Sequence, residues 1–530
     1  MHPVQRTYRY LFSRDEGVAN RLVARWLFLR SLGLIFFSAF FALLFQVRGL
    51  IGTQGILPAS EYLRQVHQFG ALRFWYAPTL LWISSSNHAL MAITWAGLIA
   101  SLFAVANVAP RPALLICFVC FLSFIAVSQD FGQYQSDGML LEAGFLSLFL
   151  APTGLLPGLG RRSLPSRAAI FLLLWEWFRI YFQSGAVKLL SGDPTWRNLT
   201  AMYEYYQNGP LPTWIGWYLQ HLPHWFQIAT AALTLFMELV LVWMAFLPRR
   251  FRIACFCVVT AWQIGVIATA NYAFLNYLVL ILAFLLLDDA SLRRFLPRRW
   301  RNSPSTSSTL LHDNAKLKPA KATSRLAPIR HAITAVCLIW VAYATTAQFV
   351  AMFWREAPLP SAPVAALEPF RIANAYGLFA VMTPHRYEIE FQGSDDGQTW
   401  TPYLFRYKPQ ALDERPRIYA PYQPRFDWNL WFASLASWTD APIVPLTQER
   451  LLENDPAVLG LFRSNPFPRQ PPRLVRAVLW QYWFSTPEEK RAHGLWWRRE
   501  LLGTYAPTIQ RLPDGRFTAT EAPTLSGAPH

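Results

Sequence analysis

Ile253–Leu287 reads IACFCVVTAWQIGVIATANYAFLNYLVLILAFLLL, 35 residues without a formal charge. A membrane-spanning helix needs about 20 mostly apolar residues. The run is too long for one crossing and suits two. Asn271 and Asn276 interrupt it, so the break between the two helices falls there. Pro248-Arg249-Arg250 closes one end and Asp288-Asp289 the other. Water-facing charges at both ends of a charge-free double run predict a polytopic α-helical membrane bundle.

Working outward, similar runs predict spans at Ser31–Val47, His88–Val108, Pro112–Ser128, Met139–Leu150, Ala168–Gly185, Phe226–Leu247 and Ala332–Trp354. With the two above, the count is about nine spans. Gly49–Gly70, which contains Gly52, Gly55 and Pro58, reads as a loop or interfacial helix. Six arginines precede the first span, which reads as an uncleaved anchor. The division expected is a helical membrane domain at 1–290, a basic cytoplasmic linker at 291–331, a last span at 332–354 and an extracytoplasmic β-rich domain at 355–530.

Composition agrees. The chain is 53% hydrophobic and 15% charged, against about 25% charged in soluble proteins. Its net charge of +17 is not a nucleic-acid surface, because residues 291–330 hold ten basic residues and one acid. Arg161, Arg162, Arg167, Arg249, Arg250 and Arg252 cluster in other loops of the same parity. Basic loops mark the cytoplasmic side, so nine spans put the C-terminal domain outside. The five cysteines, Cys117, Cys120, Cys255, Cys257 and Cys337, lie in apolar runs and are expected to pack as small buried side chains. His221 and His224 lack a third ligand, and no metal site is expected.

Beyond Ala357, Tyr387–Phe391 alternates apolar and acidic residues, the period of a half-buried strand. Gly393–Gly397 is a turn and Trp400–Phe405 the return strand. A small sandwich is expected, with short helices at Pro456–Phe462 and Arg473–Phe484. The aromatic stretch around Tyr422, Phe426, Asp427, Trp428 and Trp431, together with Trp400, supplies candidate partner-binding residues.

Ionisable residues inside spans are functional candidates, because their burial is expensive. Asp130, Asp137 and Glu142 lie at or in the fourth span, and Glu238 in the sixth. Glu176 and Arg179 share one face of the fifth span, where an internal ion pair between them is the plainer expectation. Lys188 is the only lysine before Lys316 and is surrounded by apolar sequence. It is either a lysine snorkelling to the interface or, if desolvated, a base. Gly185, Gly192, Asp193 and Trp196 complete this motif.

These residues carry a resemblance. Ser184–Trp196 (SGAVKLLSGDPTW), Gln129–Phe131, Tyr134-Gln135, Leu140–Leu146 and Gly52–Ala59 (GTQGILPA) are similar to the lipase maturation factor family. Pro210–Pro212, Trp217-Tyr218, Asn271-Tyr272 and Asp288-Asp289 match too, as do Tyr376–Phe379, Arg386–Trp400, Tyr407–Pro409 and Ala420–Phe432 (APYQPRFDWNLWF). The resemblance implies a polytopic membrane protein with a lumenal C-terminal domain. Animal members reside in the endoplasmic reticulum and help secreted homodimeric lipases fold and assemble. It implies no metal or nucleotide. The partners expected are the lipid bilayer and a secreted client such as a lipase. This arginine-rich chain, with no cysteine after Cys337, looks bacterial, which suggests an inner membrane with the C-terminal domain in the periplasm, or the endoplasmic reticulum if eukaryotic. Gly185, Lys188 and Leu189 also resemble, more distantly, a Gly-x-x-Lys-Leu pattern of vitamin K-dependent gamma-carboxylases. There the lysine is a base acting on a reduced quinone. The main expectation is a non-enzymatic maturation factor. The alternative is a membrane enzyme acting on a quinone or lipid with Lys188 as base, assisted by Glu142, Glu176 or Glu238.

Overall fold

The computed structural model describes residues 19–292 and 327–525. The expected basic linker at 291–331 falls mostly outside the described residues. Every expected span coincides with a helix: α1 (Leu22–Ile51), α2 (Asn87–Ala106), α3 (Pro110–Ile125), α4 (Gln135–Leu150), α5 (Arg167–Leu190), α6 (His224–Leu239), α7 (Arg249–Thr269), α8 (Leu275–Leu282) and α9 (Ala327–Phe353). Among the described residues, five helices are long and apolar enough to cross a membrane: α1, α2, α6 with its extension to Phe246, α7, and His331–Phe353 of α9. α3 and the extended α8 are shorter apolar helices. The segment after α1 holds the short helix Ala59–Val66. Cys117, Cys120 and Cys255 are buried, but Cys257 is exposed on the outward face of α7, contrary to the expectation of burial.

Helix ends gather at two opposite faces. At one, Arg25 donates to the carbonyls of Leu159, Gly160 and Ser163. Arg111 reaches Ala151 O, Asp289 accepts from the amides of Leu22 and Val23, and Arg249 pairs with Asp288. The arginine-rich loops therefore share this face. At the other, α1, α4, α5 and the α7–α8 break receive the C-terminal domain. The break falls where the asparagine predicted it. Asn271 donates to Leu211 O and Arg417 O and accepts from the amides of Tyr419 and Ala420. Its amide is thus satisfied by protein rather than left facing lipid.

The C-terminal domain is built on an antiparallel sheet of order β2-β1-β5-β6-β7, with β1 Arg386–Ser394, β2 Thr401–Pro402, β5 Leu474–Phe484, β6 Trp497–Arg511 and β7 Phe517–Glu521. A two-stranded sheet pairs β3 (Leu404–Phe405) with β4 (Phe462–Ser464). Helix α11 (Ile443–Leu452) packs on β5 and β6, and α10 (Arg425–Ala433) on β1. The second layer is therefore helical, which corrects the sandwich expectation. The β1–β2 hairpin forms as expected, with Asp396 accepting from the amides of Gln398 and Thr399 in its turn.

Two local readings are overturned. Arg473–Phe484 is no helix but the central strand β5, paired with β1 from Arg386↔Tyr482 to Ser394↔Leu474. Leu474, Val478 and Tyr482 are spaced by four, and multiples of four share a face in a strand as well as in a helix. The pattern cannot separate the two, and pairing with β1 decides. Pro456–Phe462 is helical only to Leu459, because Phe462 begins β4. β1 is also buried on both faces rather than half-buried. Glu388 pairs with Arg386 and Lys408, and Glu390 accepts from Gln392 and Gln410.

Candidate functional site

An irregular strap, residues 371–383, crosses the outer ends of α4 and α5, and the intramembrane charges meet it. Glu142 is fully buried. It accepts from the backbone amide of Asn374 at 3.0 Å, the Asn374 side chain at 3.1 Å and the Tyr376 hydroxyl at 2.9 Å, and it pairs with Arg179. Arg179 also donates to Asn374 O. Arg179 and Glu176 share a helical face, yet Arg179 pairs across to α4. The internal pair expected within α5 gives way because Glu142 lies opposite the guanidinium. Glu176 is buried in the same pocket, and neither of its oxygens has a hydrogen-bond partner. One turn further along α5, Gln183 accepts from Tyr376 N, and Ser184 Oγ accepts from Leu378 N.

Lys188 is at the end of this ladder. It is 1% exposed, so it does not snorkel. Its ammonium donates to both oxygens of Glu238, at 2.8 and 3.0 Å, to Leu378 O at 3.1 Å and to Ser184 O at 3.3 Å. The ring of Trp196 lies 5.0 Å away, with its indole N–H donated to Phe379 O. All the protons of an ammonium are engaged in this arrangement, and no lone pair is presented to a substrate. Gly185 explains how α6 comes so close. A Cβ there would lie 2.8 Å from Glu238 Cβ and 2.9 Å from Leu239 Cγ, so only glycine admits the acid to within reach of Lys188. Gly192 takes φ +86° in the turn that follows. Asp193 caps the short helix Pro194–Arg197 and accepts from Met382 N at 2.7 Å. Burial alone would raise its pKa, but the hydrogen bonds from the Met382 and Thr195 amides hold it below the ordinary value.

A second anchor joins α4 to α10. Asp137 takes two 2.7 Å hydrogen bonds from the guanidinium of Arg425, which also donates to Phe131 O at 2.6 Å. Gln46 of α1 accepts from Arg425 N and donates to Gln423 O and the Tyr422 hydroxyl. Neither Arg425 nor the strap residues Asn374 and Tyr376 were candidates from sequence. The only signal in the chain was an unpaired acid, Asp137, in need of a cation.

Between strap, α10 and the outer loops lies a cavity of about 550 Å³, whose wall includes Asp130, Tyr134, Phe379, Trp428, Trp431 and Phe432. Phe432 and Val381 are exposed at its rim. Ser136 Oγ, Trp428 Nε1 and Asn429 Nδ2 belong to residues of this wall and have no hydrogen-bond partner. Of the expected client-binding residues, Trp428 and Trp431 line this cavity while themselves mostly buried, and Phe426 and Asp427 are interior. Tyr422 packs beside α1, near Phe41. Trp400 is remote, stacked with Arg476 at 4.0 Å. The structure thus brings Asp130 and the α10 aromatics together, keeps Lys188 and Glu238 in a separate pocket, and leaves Trp400 apart.

Asp427 carries a pH dependence. Burial raises its pKa to about 6, although Lys408 and the amides of Lys408 and Tyr407 pull the other way. An unfolded aspartate titrates near 3.9, so the folded chain holds the proton more tightly. The group is neutral towards folding below about pH 4, destabilises progressively to about pH 6, and costs a constant ~3 kcal/mol above that, at 1.36 kcal/mol per unit. Asp427→Asn should raise the unfolding temperature at pH 7 and leave it unchanged at pH 4, which thermal unfolding at the two pH values checks.

Residues 23–294 match the lipase maturation factor transmembrane domain, and residues 372–507 match the lipase maturation factor C-terminal domain. Lipase maturation factor 2 of Gallus gallus is 32% identical, over 92% of this chain and 81% of its own length. Lipase maturation factor 1 of Bos taurus is 31% identical, over 94% and 91%. Lipase maturation factor 2 of Homo sapiens is 30% identical, over 93% and 83%. No solved structure matches the chain.

Proposed function

Because the chain belongs to the lipase maturation factor family, we propose that it is a membrane-embedded maturation factor that holds a secreted client, such as a lipase, while the client folds and assembles. The observation that carries this reading is similarity to proteins of that name through both the bundle and the C-terminal domain. The seam cavity is our choice for the client contact. It joins the two units that match the family models, its wall carries Trp428, Trp431 and Phe432, and its rim exposes Phe432 and Val381. The alternative enzyme has no support, since Lys188 is a fully engaged ammonium.

Our topology has nine spans, a cytoplasmic N-terminus and a C-terminal domain outside, in the periplasm of a bacterium or the lumen of the endoplasmic reticulum. It is supported by the gathering of the arginine-rich loops on the face opposite that domain. We assign no cofactor. The test places a photo-crosslinking amino acid at Val381 or Phe432 in cells that co-express a secreted dimeric lipase. The expected result is capture of newly made lipase at these positions and not at Trp400. Capture that is equal at all three, or absent at the seam, would overturn the assignment.

A further inference from the structure

A second cavity, about 250 Å³, lies inside the bundle between α5, α6, α7 and α8. Consecutive helices normally bury their facing stripes against each other, but α6 and α7 do not. Phe226, Thr230, Thr234 and Glu238, spaced by four along α6, all line this space. Ala261, Gly265 and Thr269, spaced by four along α7, line it from the other side. The two helices are splayed, and the gap between them is a slot in the side of the bundle.

The mouth of the slot lies on a surface covered by hydrocarbon. Both helices are long and apolar enough to cross a membrane. Leu233 and Phe236 of α6 and Val258 and Ile264 of α7 are exposed beside the mouth. Gly265 and Ala261 are themselves exposed, and a Cβ built on Gly265 meets nothing within 4 Å. At the deep end stand Tyr181 and Ser184 of α5, both nearly inaccessible.

Most polar groups of the wall are matched within it. Lys188 and Glu238 satisfy each other, Tyr181 donates to Gln263, and Thr230, Thr234 and Ser184 each donate to a carbonyl four residues back. The side-chain amide of Asn276 lines the slot without a hydrogen-bond partner among the described residues, while most of the wall is aliphatic and aromatic carbon. A dry apolar cavity of about 150 Å³ already takes up benzene, and interiors are otherwise packed near crystal density. We infer that this slot is a lipid site: the acyl chain of a bilayer phospholipid enters between α6 and α7 and lies against Tyr181 and Ser184. The chain is held and does not react. It fills the space beside the Lys188–Glu238 pair and keeps water from it. The site is independent of the client role proposed above.

The test uses the full chain in nanodiscs containing phosphatidylethanolamine with a diazirine near the end of one acyl chain. After irradiation, labelled residues are mapped by mass spectrometry. Tyr181 and Ser184 should be labelled, although they are 3% and 2% exposed, and so should Ile333 and Val336 on the open face of α9. Gly265→Trp adds a large side chain at the mouth, where a Cβ has open space, and Ala261→Phe adds one a turn away. Each should reduce labelling at Tyr181 and Ser184 at least tenfold and leave Ile333 and Val336 unchanged. No label at Tyr181 and Ser184 in the parent chain would overturn the site, as would equal label in both folded variants.

Discussion

Arg425→Met releases the C-terminal domain from the bundle and lowers the unfolding temperature more than any neutral surface change. The guanidinium is 1% exposed and bridges α10 to Asp137 of α4 and to Phe131 O. Removing it leaves Asp137 charged and buried with nothing to neutralise it. Breaking one partner of such a pair costs about 3–5 kcal/mol, much more than the intact pair contributes. The second arm of the experiment follows from that asymmetry. Arg425→Met combined with Asp137→Asn removes both charges and should recover most of the loss. Thermal unfolding of the two single variants and the double in detergent measures the coupling. If the double variant is as unstable as Arg425→Met alone, the pair is not what joins the domains.

Lys188→Met abolishes accumulation of folded protein, and Lys188→Met with Glu238→Gln restores both folding and client maturation. The reasoning is the same at a second buried pair. Glu238 loses the ammonium that approaches both its oxygens at 3.0 Å or less, and it is buried on the face of α6 that packs on α5. Neutralising both groups leaves only the carbonyls of Leu378 and Ser184 without the lysine donor, a smaller penalty of about 1–3 kcal/mol each. The same double variant separates architecture from chemistry. A maturation factor with a structural lysine keeps its activity once the charges are balanced. A double variant that folds normally yet matures no client would show that the lysine does more than hold the strap.

Much of the fold was legible. The 35-residue apolar run and its asparagines located α7, α8 and the break between them, because burying apolar surface and satisfying backbone bonds within a helix are local requirements. The strand at Tyr387–Phe391 and its turn were readable for the same reason. The site was legible only as a set of costly charges. Glu142, Glu176, Arg179 and Glu238 stood out as ions inside spans, and Asp137 and Lys188 as ions beside them, but the helical face shared by Glu176 and Arg179 named the wrong partner. Arg473–Phe484 failed differently, since a spacing of four is common to both periodicities.

The sequence by itself determined that this chain is a helical bundle with a β-rich C-terminal domain, which stretches form the helices of the bundle, and which ionisable side chains needed explanation. The tertiary structure alone decided who explains them: Arg425 for Asp137, Asn374 and Tyr376 for Glu142, and Glu238 for Lys188. Helix formation depends on neighbours within a turn or two. The attraction between charges depends on distance in space, and groups 50 to 288 residues apart acquire such a distance only once the strap and the domain are folded onto the bundle.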